Sequence, residues 1–242
     1  MKALQLHRWD VTPAEARGIQ LRLRDRMVRE DRIPKVEYVA GADIAFDLRG
    51  HGSWRTGEGR AIAGVVVYRF PEMREVERAS SIQPLRFPYV PGLLSFREIP
   101  ALLAAFGLLR VSPDLIFCDG QGYAHPRRFG LACHLGVLLD VPSIGVAKSL
   151  LIGKCGEPAR KAGSIAALLD PATGEQIGAA VRTARGVKPV YVSQGHRISL
   201  ERAIEFTLAV SDAFRIPRPT RDADHFVNEI SRQRKALATR AG

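Results

Sequence analysis

The chain has 242 residues, 46% of them hydrophobic, which is enough to bury the core of one large α/β domain. Lysine and arginine number 36 against 25 acidic residues, and the resulting charge of +11 favours a nucleic-acid partner, with an unspecialised basic surface as the alternative. Three cysteines without a C-x-x-C pair argue against a disulfide framework, and the lack of a signal core or membrane-length apolar run predicts a soluble cytoplasmic protein.

Three strand-like runs in the first half of the chain predict an antiparallel meander, because loops of hairpin length separate them. They lie at 36–46, 61–70 and 75–82, and a Gly-rich loop at 49–60 joins the first two. The first run has Asp43 in its middle, where an uncompensated charge would cost several kcal/mol. Asp43 is therefore expected to be paired, protonated or bound to a cation.

An apolar run at 115–118 is typical of a buried strand, and it ends at Asp119, which a Gly-x-Gly step follows. Open α/β sheets bind ligands at the carboxyl ends of such strands. His125, Arg127 and Arg128 follow within ten residues, so a cation-binding group lies next to an anion-binding group. This pairing suits a metal-assisted attack on a phosphodiester, whereas the alternative makes Asp119 a cap of the next helix.

A second buried strand is predicted at 141–146, with Lys148 just beyond its end. Because parallel strands end at the same edge of a sheet, Lys148 is expected on the edge that carries Asp119, with a solvated strand end as the alternative. The remaining predicted segments are a loop at 153–174 and strands at 176–183 and 189–193.

Helix starts are predicted from residues that cap the first turn of a helix. These are Thr12-Pro13-Ala14-Glu15, Ser95-x-x-Glu98, Ser199 and Thr220. Glu98 has a purely structural role as an alternative, since capping boxes place an acidic residue there. Another helix is predicted at 129–139, and the Ser199 helix is predicted to reach Phe214. The last helix carries Asp224, and the basic tail at 232–242 is predicted to fray.

The order of these elements predicts an α/β fold of the ribonuclease H-like type. In that fold an antiparallel meander and parallel strands form one mixed sheet flanked by helices, and the whole chain, 1–242, is expected to form one domain. A mid-strand aspartate and a strand-ending aspartate then lie side by side, and the helices add two more acids. The four positions are Asp43, Glu98, Asp119 and Asp224.

Six motifs in the same order along the chain resemble those of the endonuclease V family, from Val36 to about Asp224. They are Ala40-Gly41-Ala42-Asp43, Pro88-Tyr89-Val90-Pro91-Gly92-x-Leu94-Ser95-Phe96-Arg97-Glu98, Asp119-Gly120-x-Gly122-x-x-His125-Pro126-Arg127-Arg128, Gly145-Val146-Ala147-Lys148, Gly195-His196-Arg197 and Pro219-Thr220-Arg221-x-Ala223-Asp224. The resemblance implies a nuclease of DNA repair that nicks a strand at the second phosphodiester 3′ to a deaminated purine such as hypoxanthine.

The same resemblance implies a set of metal ligands and catalytic groups. Asp43, Glu98 and Asp119 would hold the catalytic Mg²⁺ ions, with Mn²⁺ as a substitute, and Asp224 would be the fourth acidic position. Lys148 and His125 would lie beside the scissile phosphate. For His125 two roles stay open: orienting the attacking water or contacting the phosphate.

The resemblance also implies how the substrate is held. The stretch from Pro88 to Pro91 would be a wedge inserted where the flipped base leaves the stack, although Tyr89 alone would be read as a packing aromatic. The base would enter a pocket formed largely by backbone. The residues expected to bind substrate are Pro88, Tyr89, Pro91, Gly92, Gly120, Gly122, Arg127 and Arg128.

Three other functions remain as alternatives at this point. The chain could be a different ribonuclease H-like nuclease that cuts hybrids or junctions, a nucleic-acid-binding module without catalysis, or a basic structural protein. DNA with deaminated bases is the expected partner and inosine-containing RNA a second candidate, because recognition of a 2′-hydroxyl depends on loop details. A monomer is expected.

Overall fold

The computed structural model describes residues 1–33, 35–48 and 59–240, so most of the predicted loop at 49–60 lies outside the described residues. The strands within the described residues are β1 (Tyr38–Leu48), β2 (Gly59–Arg69), β3 (Arg74–Pro84), β4 (Leu115–Asp119), β5 (Ser143–Ala147), β6 (Lys154–Cys155), β7 (Ile165–Leu169), β8 (Gln176–Val181) and β9 (Val190–Gln194). The helices are α1 (Pro13–Arg24), α2 (Leu94–Gly107), α3 (Leu131–Leu139), α4 (Leu200–Ala209) and α5 (Arg218–Arg240).

All of these strands belong to one mixed sheet with the order β3-β2-β1-β4-β5-β9-β8-β7-β6. The meander of β1, β2 and β3 is antiparallel, and β4 is parallel to both β1 and β5. The predicted ribonuclease H-like mixed sheet flanked by helices is therefore confirmed. The carboxyl ends of β1, β4 and β5 lie at one edge of the sheet, which we call the carboxyl edge.

Helices cover both faces of the sheet, because the strands bury side chains on both. Successive residues of a strand point to opposite faces. Ala40 and Ala42 of β1 pack in the cluster that contains α2 and α3, whereas Val39 packs in the cluster that contains α4 and α5. By this alternation Gly41 and Asp43 face the side of α4 and α5.

Two predicted helix caps are wrong, because tertiary contacts use the capping side chains differently. Helix α2 begins before Ser95, and the Ser95 hydroxyl is paired with Nδ1 of buried His134 at 3.1 Å. Thr220 lies inside α5 and donates to the carbonyl of Pro217. The capping box at Thr12 and Glu15 is confirmed, with both of its hydrogen bonds formed.

Other element boundaries also differ from the sequence prediction. The stretch at 153–174 contains β6 and β7 instead of a continuous loop. Helix α4 ends at Ala209 and not at Phe214, because Asp212 and Ala213 adopt left-handed backbone angles. Helix α5 spans Arg218–Arg240, so most of the basic tail is helical here, and fraying of that tail stays a prediction. None of the helices in the described part of the chain is long and apolar enough to cross a membrane.

Candidate active site

Three carboxylates meet at the carboxyl edge of the sheet. Asp43 comes from the middle of β1, Asp119 from the end of β4 and Asp224 from helix α5. Each offers an oxygen that lies within 4.8 Å of the others. The chain thus brings together three acids that are up to 181 positions apart in the sequence, as the sequence pattern predicted for this edge.

Glu98 approaches the same cluster from the other face of the sheet. It lies on α2, is buried, and is close enough to feel the charges of Asp43 and Asp119. It is not one of the three acids whose oxygens lie within 4.8 Å of one another. Glu98 therefore lies near Asp43 and Asp119 but outside the group of three acids with the shortest mutual distances.

Burial and mutual repulsion make these acids hard to ionise. Desolvation, followed by the charges of Asp119 and Asp224, raises the pKa of Asp43 to about 8, against partial compensation from Lys148 and a backbone hydrogen bond. Burial, then Asp43 and Asp119, raises the pKa of Glu98 well above its ordinary value. In the absence of a cation, part of this site is expected to hold protons at neutral pH.

Lys148 lies against the cluster, at the position predicted just past β5. Its Nζ is 2.5 Å from Oδ2 of Asp119 and 3.7 Å from Oδ1 of Asp224. Partial burial lowers the pKa of Lys148, but the hydrogen bond and charge of Asp119 outweigh this and raise it. The ammonium group is therefore charged and offsets part of the repulsion among the acids.

The donor set of the cluster fits a hard divalent cation. Its ligand atoms are all carboxylate oxygens, which suit Mg²⁺ or Mn²⁺, whereas structural zinc sites use sulfur and nitrogen. A cation at this position would also relieve the unfavourable charge density that raises the pKa of Asp43.

Helix α5 can reach the sheet because glycines leave room for it. A Cβ added to Gly41 would lie 1.9 Å from the carbonyl oxygen of Pro219, and one added to Gly64 would lie 2.6 Å from Cγ1 of Val227. A hydrogen bond of 2.6 Å from the Tyr68 hydroxyl to Asp222 holds the same part of the helix. These contacts set the position of Asp224, which lies two residues after Asp222.

A cavity of about 380 Å³ opens beside the cluster. Asp119 and Lys148 line it on one side, and the loop before α2 lines it on the other. The predicted substrate-binding residues among its lining are Tyr89, Pro91, Gly92 and Gly120. It is large enough to admit a purine base, and it lies next to the acids that could act on a phosphate.

Gly120 and Gly122 differ in what they do. Gly120 lines the cavity with φ at +156°, a conformation that L side chains rarely adopt. Gly122 is not among the lining residues, and a Cβ there would lie 2.3 Å from the carbonyl oxygen of Gln194. A glycine is needed at position 122 because the backbone packs closely against β9 there. The predicted role of Gly122 in base binding stays a prediction.

His125 lines the cavity, but both of its ring nitrogens already have backbone partners. Nε2 is 2.9 Å from the carbonyl oxygen of Gly92, and the backbone N–H of Arg127 donates to Nδ1 at 3.2 Å. Since a carbonyl only accepts, Nε2 carries the proton. Burial, then the charge of Arg127, lowers the pKa of His125 to about 4, so the ring is neutral at pH 7. In this structure His125 fixes the Gly92 loop.

Arg127 and Arg128 were predicted to bind phosphates, and the structure gives both guanidinium groups protein partners instead. Arg127 donates to Gln20 Oε1 at 2.6 Å and to the carbonyl of Gly92 at 2.6 Å. Arg128 pairs with Asp170 and with Glu175 Oε2, the latter at 3.1 Å. Phosphate contacts by this pair remain a prediction, for which only the N–H groups not used in these bonds are available.

Gln20 is a site residue that the sequence did not single out. It lies on α1, is 1% exposed, and its amide donates to the carbonyls of Gly92 and Phe129, both at 3.1 Å. Together with Arg127 and His125 it holds the Gly92 loop at the cavity wall. The available signal was a glutamine on the apolar face of α1, next to Ile19 and near Leu23, where an uncompensated amide is costly.

The raised pKa of Asp43 predicts how the stability of the metal-free protein depends on pH. Between its ordinary value of 3.8 and about 8, the folded protein holds a proton that the unfolded chain has released, so stability falls as pH rises. Histidines act in the opposite direction: the lowered pKa of His125 means that the unfolded chain binds its proton below 6.5, so stability rises with pH there. Above 6.5 only the carboxyl contribution remains, and the Tm is expected to fall towards pH 8.

Calorimetry in a chelator measures this dependence from about pH 6.5 to about pH 8, below the range in which the raised pKa of the buried thiols Cys118 and Cys133 also lowers stability. The decline should become shallower in Asp43→Asn, in which the buried carboxyl of Glu98 still has a raised pKa, and it should disappear in wild type saturated with Mg²⁺, which displaces the protons. A metal-free Tm that is constant across this range would show that Asp43 ionises freely in the folded protein.

Fold and site together define the class of the protein. A mixed sheet of this topology, with acids from β1, β4 and a C-terminal helix meeting at its carboxyl edge, is that of the ribonuclease H-like proteins. A family model described as endonuclease V matches residues 21–225. The chain belongs to the endonuclease V family.

Known relatives support this assignment along nearly the whole chain. Endonuclease V of Nostoc sp. is 49% identical over 225 residues, 93% of this chain and 97% of the relative. The crystal structure of the Streptomyces avermitilis protein has a TM-score of 0.85 at 42% identity and covers 94% of this chain and 96% of that one. Endonuclease V of Ciona intestinalis, solved with a 24mer DNA containing an inosine followed by a ribo-adenosine, has a TM-score of 0.78 at 31% identity and covers 91% and 98%.

Proposed function

We propose that this protein is a Mg²⁺-dependent endonuclease that recognises deaminated purines, hypoxanthine above all, in DNA. It nicks the strand at the second phosphodiester bond 3′ to the lesion and leaves the base in place. The observation that carries this proposal is the cluster of Asp43, Asp119 and Asp224 with Lys148, beside a cavity large enough to admit a purine. The Ciona relative, solved with inosine-containing DNA, supports the substrate class.

The carboxylates are the proposed metal ligands. Asp43 and Asp119 would bind directly, Asp224 would complete the set from α5, and Glu98 would contribute from α2 directly or through water. Divalent cations bound there would supply neutralising charge, an activated water and stabilisation of the leaving 3′ oxygen. The proposed mechanism uses two such cations. Mn²⁺ is expected to substitute, because it accepts the same oxygen ligands.

Lys148 has a second role once a cation neutralises the acids. Its ammonium group is then released from part of its attraction to Asp119 and Asp224, which are 2.5 Å and 3.7 Å away. A positive charge on the cavity wall opposes the negative charge that develops on the phosphoryl oxygens during attack. His125 acts less directly, by holding the Gly92 carbonyl and thereby the loop that borders the cavity.

The cavity is proposed to hold the flipped base. Hypoxanthine presents an N1–H donor and an O6 acceptor and lacks the exocyclic amino group of adenine. A wall made largely of backbone, such as the one around Gly120, can pair with that edge and leave buried groups unpaired against adenine. Flipping costs a few kcal/mol and is easiest for a mispaired base, which adds to the selectivity.

Tyr89 is expected to fill the space that the flipped base leaves. Its side chain is 48% exposed at the rim of the cavity, between two prolines that stiffen the loop. Since stacking is worth roughly 1–3 kcal/mol per base, Tyr89→Ala should weaken binding to inosine-containing duplex by about tenfold to a hundredfold and affect plain duplex much less. Fluorescence anisotropy on both duplexes measures this, with Leu108→Ala, which removes an exposed apolar side chain, as the control. Equal losses on both duplexes would refute the wedge.

One assay tests the proposed function. Labelled DNA and RNA oligonucleotides with a single inosine are incubated with Mg²⁺ and the wild-type protein or Asp119→Ala, and the cut position is mapped. A nick at the second bond 3′ to inosine that depends on Asp119 supports the proposal. Cleavage of ordinary hybrids or junctions instead would favour another ribonuclease H-like nuclease, and binding without cleavage would favour a module without catalysis. The DNA and RNA arms decide the preferred substrate.

We also propose that the protein is a monomer and acts in the cytoplasm. Size-exclusion chromatography coupled to light scattering is expected to give a mass near 26.6 kDa, the mass of one chain.

A further inference from the structure

Two loops beyond the site form a continuation of the carboxyl edge. The register places Ala147 of β5 opposite Tyr191 of β9, Val190 opposite Val181 of β8, and Val181 opposite Ile165 of β7. The loops at 156–164 and 182–189, which join these strands, therefore lie on the same edge as Lys148. Three strand spacings of about 4.8 Å put the start of β7, where the loop at 156–164 ends, roughly 14 Å from the end of β5, and the loop at 182–189 lies between them.

A buried arginine locks these two loops together. The side chain of Arg182 is 5% exposed. Its guanidinium group donates to the carbonyls of Pro158, Ala159 and Val187. It also pairs with Glu157 at 2.5 Å. Because one cation binds backbone from both loops, their conformations are fixed relative to each other. The loops are built as a rigid surface.

Another arginine joins this surface to the site. The guanidinium of Arg215 donates to the carbonyl of Lys148 at 2.7 Å and to the carbonyl of Pro189 at 3.2 Å. The loop that carries Lys148 and the loop that ends at Pro189 are thus held side by side.

Four exposed cations point outward from the locked loops, and we call them the basic tract: Arg160, Lys161, Arg185 and Lys188. Within the described residues, the side chains of these four have no ion pair or hydrogen bond. By contrast, the guanidinium groups of Arg127 and Arg128 form hydrogen bonds and ion pairs with other residues of the protein. A concentration of unpaired positive charge on a rigid surface is what an extended polyanion recognises.

We propose that the basic tract binds the phosphodiester backbone of the substrate duplex on one side of the lesion. This inference rests on the proposed function, because it needs the lesion at the cavity and the cut strand at Lys148. At a rise of 3.4 Å per base pair, roughly 14 Å corresponds to about four base pairs. The tract therefore contacts phosphates that lie beyond the lesion and adds affinity without reading the sequence.

The test removes charge in pairs and keeps the fold. Arg160→Gln with Lys161→Gln is one variant, and Arg185→Gln with Lys188→Gln is another. A matched control, Lys35→Gln with Arg74→Gln, removes two exposed cations from the opposite edge of the sheet. Binding to an inosine-containing duplex is measured by anisotropy at several salt concentrations, with Ca²⁺ in place of Mg²⁺, and nicking is measured under saturating single-turnover conditions with Mg²⁺.

Each tract variant should lower the slope of log K against log salt by about 1 to 2, since each lost phosphate contact removes about 0.9. Duplexes lengthened on one side of the lesion should bind wild type and the control more tightly, and the tract variants should lose that gain. Saturating nicking rates should stay at the wild-type value. If the tract variants have the same salt slope as the control, or still gain affinity from longer duplexes, the proposed role of the basic tract is refuted.

The two proposals fail in different ways. If wild type leaves the inosine duplex intact, the proposed function fails, whatever the salt slopes. If wild type nicks it and the tract variants bind like the control, the proposed function stands and the basic tract alone is refuted. A reduced saturating rate in the tract variants would also refute the tract, because it would place these residues in the chemistry.

Discussion

Asp43→Asn is expected to abolish nicking and at the same time to stabilise the metal-free protein. Asparagine keeps the shape of the side chain and removes its charge from the point where β1, β4 and α5 meet. Losing a direct ligand should cost several kcal/mol in the transition state, which is about three orders of magnitude or more in single-turnover rate. The substitution should therefore separate activity from stability.

The stabilising half of this prediction follows from the unfavourable environment of the carboxyl group. Burial and the charges of Asp119 and Asp224 raise the pKa of Asp43 to about 8, so the folded state near neutral pH must either take up a proton or hold a buried charge. Asparagine requires neither. The Tm without metal should rise by several degrees at pH 7.5 or so, and Mg²⁺ should no longer raise it.

Calorimetry with and without Mg²⁺, together with single-turnover nicking, measures both halves. Asp25→Asn is the matched control, because Asp25 is largely exposed and its ion pair within the described residues is with Arg24, at 3.5 Å. This control should leave the rate, the metal-free Tm and the Mg²⁺-induced shift unchanged. An Asp43→Asn protein that is less stable than wild type without metal would mean that the carboxylate is held by favourable contacts, and the metal site would have to be placed elsewhere.

Two acids of the carboxylate cluster were predictable from local signals, because each of them breaks or ends an apolar pattern. Asp43 interrupts a buried strand, and Asp119 ends one just before a glycine. Parallel pairing of the two strands then puts these residues at one edge, which is a rule of sheet geometry. Glu98 was harder, because its pattern equally fits a capping box that the structure does not contain.

The sequence predictions fail where a side chain forms a hydrogen bond or ion pair with a residue that is distant in the sequence. Arg128 looks like a phosphate ligand until β7 and β8 bring Asp170 and Glu175 to it from more than 40 positions away. Ser95 looks like a cap until His134 is folded against it. Strand β7 was missed because Leu168 is its only buried residue, so the alternation that marks a strand is absent.

Gly41→Ala is expected to weaken metal binding without removing any ligand. The new Cβ would lie 1.9 Å from the carbonyl oxygen and 2.1 Å from the carbonyl carbon of Pro219. These are backbone atoms, so no rotamer change relieves the clash and the start of α5 must move. Pro219 precedes Asp224 by five residues on the same helix, so the shift should draw Asp224 away from Asp43 and Asp119.

The result should be a higher Mg²⁺ requirement together with a modest loss of stability. Overpacking of this kind costs about 1–3 kcal/mol, so the chain should still fold, as circular dichroism would verify. Single-turnover nicking against Mg²⁺ concentration gives the midpoint, which should rise by about tenfold or more if one ligand is displaced. Duplex affinity at saturating Ca²⁺ should change little, because the basic tract and the cavity wall are not part of this contact.

Gly107→Ala supplies the control, because nothing lies within 4 Å of a Cβ added at the end of α2. Its Mg²⁺ midpoint should match wild type, and its Tm should be equal or slightly higher, because alanine favours the helix more than glycine does. If Gly41→Ala keeps the wild-type midpoint while losing stability, the position of Asp224 does not depend on the contact of α5 with β1, and the proposed link between Gly41 and metal binding would be refuted. If the Mg²⁺ midpoint rises in Gly41→Ala and not in Gly107→Ala, the motif Ala-Gly-Ala-Asp needs its glycine because helix α5 packs against it. The same packing then positions Asp224 beside Asp43.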